Sequence, residues 1–363
     1  MTIYPGITVL FVGDLNPYSN SYSRLKGFRT LCGQVDAMSF TRPGDSETGV
    51  DVPSPFFRIC WKLGIHLDTQ GVNRWLVERT QQVSPALIWI EKGNMIHPRT
   101  LKRLRALCPS AIIASYSDDD MYAWHNRTWA YQRGLRHYDV VFTTKSYNAD
   151  EGELLGFGAR KVVMVDKAYD PEGHRPEELS VQDRDWLSAD VGFIGSFERD
   201  RAEDMLFLAR NNIRVRVWGN GWEKFQTTEP NLIIERRALV NRDDNPLYSK
   251  GICATGINLA FLRKANRDLH TDRSIEIPAC GGFMLAEYSS EHARLFEDSK
   301  EAVFFRSRDE LLEKIRYYST HEEERLAIAA AGRKRCLADG YSHQDRGAFM
   351  LDSVFGGPES APS

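Results

Sequence analysis

The strongest constraint on this chain is a recurring pattern of short, unbroken apolar runs that stop at Gly, Ser, Thr or Asp. Ile7 to Gly13 reads ITVLFVG and ends before Asp14. A strand with one wet face alternates apolar and polar residues, whereas a run apolar at every position is buried on both faces, as in a parallel sheet. Similar runs recur at Ala86 to Ile90, Ala111 to Ser115, Val140 to Thr143 and Val162 to Val165, with helix-like stretches such as Pro98 to Leu107 between them. Strand and helix alternate, so an α/β fold with right-handed crossovers is expected.

The pattern breaks once and restarts. Asp170 to Asp190 is polar, holds two prolines and lacks apolar periodicity, which marks it as a linker. Beyond it come strand-like Val191 to Ile194, a helix through about Arg210, strand Val215 to Trp218, strand Gly256 to Ala260, helix Ser274 to Ala279 and strand Phe283 to Ala286. Arg308 to Ser319, Glu322 to Leu337 and Tyr341 to Phe355 follow as helices. A chain of 363 residues suits two domains. We expect a first domain over residues 1–175, a second over 188–337 and a helix over 341–355 that returns to the first. Ser39 to Pro55, rich in Pro, Gly, Asp and Ser, reads as a long surface loop or flap.

Composition excludes several functions. With 42% hydrophobic and 27% charged residues the chain can fold, and a net charge of −3 offers no general field for a nucleic-acid backbone. The six cysteines form no CxxC pair, so neither zinc nor a disulfide framework is indicated and a reducing, cytoplasmic setting is expected. No apolar run of about 18 residues exists, and the N-terminus enters a strand without a basic leader, so neither a membrane span nor secretion is expected.

Two motifs carry chemistry. In GFIGSFERDR (192–201) a strand ends at Gly195-Ser196 and a helix begins, with Arg199 and Arg201 in its first turn. Backbone N–H groups at such a turn suit a diphosphate, and the arginines supply charged contacts; the same glycine also serves ordinary turn formation. In RSIEIPACGGFMLAE (273–287) a carboxylate, Glu276, sits on a short helix before Gly-Gly and a strand. It can accept two hydrogen bonds from a ribose diol, or be a solvated residue near a helix C-cap.

The stretch from Arg273 to Glu287, the helices that follow it, the GNGW turn at 219–222, and the first-half segments IWIEKGNMIHPRTL and SYSDDDMYAWHN resemble the CgeB-like glycosyltransferases, of the group 1 type with a GT-B fold. The resemblance implies two Rossmann-like domains facing across a cleft, with a nucleotide sugar, most simply a UDP-sugar, held by the second. It implies that Glu276 contacts the ribose with Arg273 one helical turn before it on the donor side, that Gly195 and Ser196 lie under the diphosphate with Arg199 and Arg201 as cationic partners, and that Trp218, Gly219 and Asn220 flank the base. The wider group pairs two glutamates here, and Asp268 stands in place of the first. Lys264 and His270 lie nearby as further cations.

On the acceptor side, Asp118-Asp119-Asp120 follows a strand, where a carboxylate can deprotonate an acceptor hydroxyl, cap a helix or, less simply, chelate a metal. Asp119, Asp120 and His125 are the candidate bases. Asp14, Asn16, Tyr18, Ser21 and Arg24 follow the first strand, and Glu91, Lys92 and Asn94 end another, so both groups are candidate acceptor contacts. The expected activity is metal-independent transfer of a sugar to a hydroxyl of a glycan or small molecule, without a cofactor. Its rivals are a non-catalytic nucleotide or sugar-binding module and a nucleotide-sugar epimerase.

Overall fold

The computed structural model describes residues 3–42, 54–242 and 244–356. Most of the expected flap, residues 43–53, lies outside them. The chain divides into two compact units, one made of Met1–Asp166 with His343–Ser363 and the other of Lys167–Ser342.

The first unit is a six-stranded, all-parallel sheet in the order β2-β1-β3-β4-β5-β6. Its strands are β1 (Tyr4–Gly13), β2 (Cys32–Ser39), β3 (Leu87–Glu91), β4 (Ile112–Ser117), β5 (Val140–Thr143) and β6 (Val162–Met164). Leu10, Val12, Ile88 and Ile90 pack on one face, Val9, Phe11, Leu87 and Trp89 on the other. Two dry faces explain the unbroken apolar runs. Strand β2 escapes the sequence reading because it is an edge strand, CGQVDAMS, with only its first residue fully buried. The helices are α1 (Asn20–Leu31), α2 (Pro55–Lys62), α3 (Val72–Val83), α4 (Pro98–Leu107) and α5 (Trp129–Gly134).

The second unit has its own six-stranded parallel sheet, ordered β14-β13-β12-β7-β8-β9. These are β7 (Ala189–Ile194), β8 (Val215–Trp218), β9 (Leu232–Glu235), β12 (Thr255–Ala260), β13 (Met284–Glu287) and β14 (Val303–Phe305), and a short antiparallel ladder joins β10 (Asn241–Arg242) to β11 (Asn245–Pro246). Helices α6 (Val181–Leu187), α7 (Arg199–Arg210), α8 (Leu247–Cys253), α9 (Asp272–Ala279), α10 (Ser290–Leu295), α11 (Arg308–Thr320) and α12 (Glu322–Ala338) surround it. Read outward from β7, the order is that of the dinucleotide-binding doubly wound sheet.

The segment 170–190 differs from its reading as a linker. It belongs to the second unit, where the Tyr169 amide donates to the Tyr341 carbonyl at 3.1 Å. It also carries α6, started by a capping box between Ser180 and Asp183. Its polarity reflects an exposed short helix rather than a free strand of chain. The last helix, α13 (His343–Phe355), packs on α1, and its Met350 and Leu351 join the core of Phe28 and Leu31. Among the described residues no helix is long and apolar enough to cross a membrane.

Candidate functional site

In an open parallel sheet, ligands bind beyond the carboxyl ends of the strands where the winding direction reverses. The first sheet reverses between β1 and β3, and a cavity of about 420 Å³ lies there, lined by residues that include Asp14, Thr41, Trp61, His66, Lys92 and Asp119. Lys92 and Gly93 both take left-handed conformations, φ 58° and 72°. The Lys92 amide donates to the Tyr116 carbonyl at 2.6 Å, which holds this turn against β4. Such a conformation costs a lysine roughly 1–3 kcal/mol, and strain of this size gathers at functional sites. Its ammonium pairs with Asp119 at 2.6 Å.

The three consecutive aspartates part company. Asp118 accepts from Arg24 at 3.0 Å and from the Tyr116 hydroxyl at 2.8 Å. Asp118 and Asp119 both line the cavity, where Asp119 pairs with Lys92. Asp120 is fully buried and accepts from the Tyr122 amide and from Asn148 Nδ2 at 3.2 and 2.9 Å, so it is a turn residue and not a base open to substrate. Among the described residues no group of three or more His, Cys, Asp or Glu side chains could hold a metal ion.

Of the proposed acceptor contacts, Asp14 lines the cavity together with Ser21, Glu91, Lys92 and Asn94. Arg24 does not. It is buried, its guanidinium lies 3.7 Å from the centroid of the Tyr116 ring, and it donates to Glu91 at 2.8 and 3.1 Å. A buried guanidinium needs carboxylates for its own sake, and Arg24 serves as the bracket that ties β3 to β4. Asn16 is likewise buried, bound to Asp14 at 2.7 Å and Thr41 at 3.2 Å, and holds the loop after β1. Tyr18 is half-buried and does not line the cavity. His125 is exposed, set edge-on to Trp124, and also stands outside the cavity lining.

The histidine that does line it is His66, which the sequence reading passed over. Phe57 and Trp61 meet its ring edge-on at 5.0 and 5.1 Å, and its Nδ1 is enclosed without a hydrogen-bond partner. Burial, helped by the Lys92 charge, lowers its pKa to about 4. It is an uncharged imidazole at neutral pH. A lone histidine in KLGIHLD has no motif to announce it.

The second sheet reverses between β7 and β12, and two glycine turns meet beside β7. The Gly195 amide donates to the Trp218 carbonyl at 2.8 Å, its carbonyl accepts from Trp222 Nε1 at 2.9 Å, and the Phe197 amide donates to the Asn220 carbonyl at 2.9 Å. Gly219 has φ 152°, and a Cβ there would lie 2.0 Å from the Gly195 carbonyl oxygen, so only glycine lets the turns approach. Ser196 and Asn220 are exposed. Trp218 contributes only backbone, because its indole is buried against Leu187 and Leu239; it does not flank a base.

Two arginines converge on this corner. Arg201 and Arg273 place their guanidinium carbons 5.6 and 5.1 Å from the centroid of the Phe193 ring. Arg201 is buried, with its Nε and Nη2 lacking hydrogen-bond partners, as does Arg273 Nε; Glu198 stands 3.7 Å from Arg201 Nη2. Burial first, and then the like charge of Arg273, lower the Arg201 pKa to about 10. Buried donors without acceptors cost free energy until an anion fills the gap. A Cβ on Gly195 would approach Arg273 Nη1 to 2.9 Å, so the glycine opens the space in front of this guanidinium.

The remaining predicted cations lie elsewhere. Arg199 is exposed and pairs with Glu203 at 3.3 Å along α7, since position 199 starts the helix on its wet face. Lys264 is exposed and pairs with Asp200 at 3.6 Å. His270 is buried, its Nε2 accepting from the Lys167 amide at 3.0 Å and its Nδ1 bonded to Glu291, so it is a scaffold residue. Asp268 accepts from Asn266 at 2.8 Å and remains partly exposed.

Glu276 departs from its reading as a solvated residue. It is buried, accepts from the Tyr248 hydroxyl at 2.5 Å and faces His174 at 3.7 Å. Burial raises its pKa, opposed by the charges of His174 and Arg273. Arg273 precedes it by one turn of α9.

Residues 200–352 match a family model described as glycosyl transferase-like. None of the curated proteins matches the chain. Among solved structures, Anabaena HepE in complex with UDP and glucose is 10% identical with a TM-score of 0.61, covering 96% of this chain and 99% of that one. Sucrose-phosphate synthase from Thermosynechococcus elongatus is 11% identical with a TM-score of 0.64, covering 96% and 98%. A putative UDP-N-acetylglucosamine 2-epimerase from Listeria monocytogenes is 10% identical with a TM-score of 0.54, covering 98% and 99%. The chain has the GT-B fold.

Proposed function

We propose that this protein is a glycosyltransferase that binds a nucleotide sugar, most simply a UDP-sugar, at the glycine turns of its second unit and passes the sugar to a hydroxyl acceptor. The observation that carries the reading is the pair of guanidiniums, Arg201 and Arg273, with buried unpartnered donors beside Gly195. The family match to residues 200–352 includes both arginines and supports transfer, and HepE, of the same fold, was crystallised with UDP and glucose.

Breaking the bond from the sugar C1 to the diphosphate oxygen leaves growing negative charge on the nucleoside diphosphate. Arg201, Arg273 and the backbone N–H groups of the turns offset it, and one well-placed donor is worth about 2.7–4 kcal/mol in such a barrier. Glu276, fixed by Tyr248, is the acceptor for ribose hydroxyls. On the first unit, Asp119 takes the proton of the acceptor hydroxyl, while Trp61 offers an apolar wall for a sugar face. The step needs no metal in this reading, because cationic side chains supply the charge. The three aspartates support it by each having a different partner. We place the protein in the cytoplasm and, by the sequence resemblance, near the CgeB-like enzymes.

The test is incubation with UDP-, GDP-, dTDP- and CMP-sugars and a panel of glycan and small-molecule acceptors. Nucleoside diphosphate released in step with a new glycoside supports the reading. An epimerised donor without glycoside, or tight nucleotide binding without turnover across the panel, contradicts it.

A further inference from the structure

Six large apolar side chains stand in solvent on two short segments of the first unit: Phe56, Ile59, Leu63 and Ile65 on and after α2, and Trp124 and Trp129 before and at the start of α5. Trp124 is 75% exposed and Phe56 66%. Scattered exposed apolar residues need no explanation, but a cluster does. The segments adjoin, since the Trp129 amide donates to the Gly64 carbonyl at 3.1 Å and a Cβ on Gly64 would lie 2.8 Å from the Trp129 ring. On α2 and its C-cap, Phe56, Ile59 and Leu63 follow at helical spacing and are exposed, while Cys60 is buried and Trp61 lines the cavity.

Charge sets the patch apart. Residues 54–67 and 121–138 contain no Asp or Glu, yet they carry Arg58, Lys62, Arg127, Arg133 and Arg136. Among the described residues, the acids that border them are occupied within the fold. Asp68 accepts the Val72 and Asn73 amides at 2.8 and 2.9 Å, Asp120 is buried, and Asp139 pairs with Arg105 and, at 3.3 Å, with Arg160. A chain with a net charge of −3 thus presents a face that is both apolar and basic. The Arg133 guanidinium lies 5.8 Å from the Trp129 ring, the mixed aromatic and cationic chemistry found at membrane interfaces.

We propose that this face docks on an anionic lipid surface, with Phe56, Ile59, Leu63 and Trp124 entering the headgroup layer and the basic side chains meeting lipid phosphates. Helix α2 has 8 residues, about 12 Å of length, so it lies in the interface and does not span it. Because Trp61 of the same helix lines the cavity, docking brings that cavity to the headgroups. Resting on the transfer reading, the acceptor is then a hydroxyl carried on a lipid.

Sedimentation of the full chain with vesicles, without donor or acceptor, tests the docking independently of transfer. The protein should pellet with vesicles of equal parts phosphatidylcholine and phosphatidylglycerol, far less with phosphatidylcholine alone, and less as salt rises. A variant combining Phe56→Ser, Ile59→Ser, Leu63→Ser and Trp124→Ser should stay in the supernatant with an unchanged unfolding midpoint. Each of Arg58→Gln, Lys62→Gln and Arg133→Gln should weaken association about fivefold, as ~1 kcal/mol per cation near an anionic surface implies. The proposal is overturned by equal recovery in the supernatant with and without anionic vesicles, or by a serine variant that pellets like its parent. It is also overturned by a parent dimer in ultracentrifugation that the serine variant abolishes, which would assign the face to a second copy.

Discussion

Arg201 and Arg273 hold their guanidiniums over the same ring, Phe193, and the Nε of each lacks a hydrogen-bond partner. Two like charges share a half-dry corner beside Gly195, an arrangement that destabilises the empty protein and favours an anion. Arg201→Met is therefore expected to leave the ligand-free unfolding midpoint unchanged or higher, because it removes a desolvated, repelled charge. Pyrophosphate should raise the midpoint of the parent and do little for the variant. A midpoint that falls sharply in the variant, with the pyrophosphate effect intact, would make Arg201 a structural residue.

Glu276 is bonded to Tyr248 and faces His174 in a buried setting. Glu276→Ala strands the Tyr248 hydroxyl, so denaturant unfolding should show a loss of about 1–3 kcal/mol. Glu276→Gln keeps an acceptor and should lose less. Equal stability of the alanine variant and the parent would show that the network carries no weight.

Asp119 and Asp120 are neighbours in sequence with opposite expectations. Asp119→Asn should lower transfer by about 10²–10⁴-fold with donor affinity kept, since the cavity loses its base. Asp120→Ala should instead cost about 1–3 kcal/mol of stability, because it strands the Tyr122 amide and Asn148, with transfer per folded molecule largely retained. Kinetics on both variants, corrected for folded fraction, separates the roles. A large loss of turnover in the Asp120 variant with parent-like stability would exchange them.

Acid should unfold the protein through two histidines. Burial lowers the pKa of both His66 and His292 from 6.5 to about 4. The unfolded chain binds these protons more readily, so the stability they contribute is present above pH 6.5 and is lost as pH falls toward 4. The loss is about 3 kcal/mol per group at most. His292 is held by Ser274 at 2.7 Å and the Glu287 carbonyl at 2.7 Å. Denaturant unfolding across that window should show a shallower slope in His292→Gln, and an unchanged slope would remove His292 from the account.

Much of the fold was legible because its strands are wet on neither face. ITVLFVG and VVFT are apolar almost throughout, as interior strands of a parallel sheet are, and the helix at Arg308 is marked by Ser307, whose side chain accepts from the Glu310 amide. The edge strand β2 and the amphipathic α2 were not, since their patterns mix apolar and polar residues. At the sites, glycine turns can be read from sequence because φ and close approach exclude other residues. The fate of a charged residue cannot, because it depends on what crosses from elsewhere in the chain. Arg24 meets Glu91, 67 residues away, and Asp118, 94 away. His66 gains its meaning only from Phe57, Trp61 and Lys92 around it.

The most direct test of the central claim is calorimetric titration of UDP into the protein in EDTA, for the parent and for the Arg201→Ala, Arg273→Ala double variant. Charge-assisted hydrogen bonds are worth about 1.5–3 kcal/mol each. The parent should bind one UDP per chain without a metal, and the double variant should bind at least about 100-fold more weakly. Equal affinity in the two proteins, or parent binding that appears only when Mg²⁺ or Mn²⁺ is restored, would contradict the account.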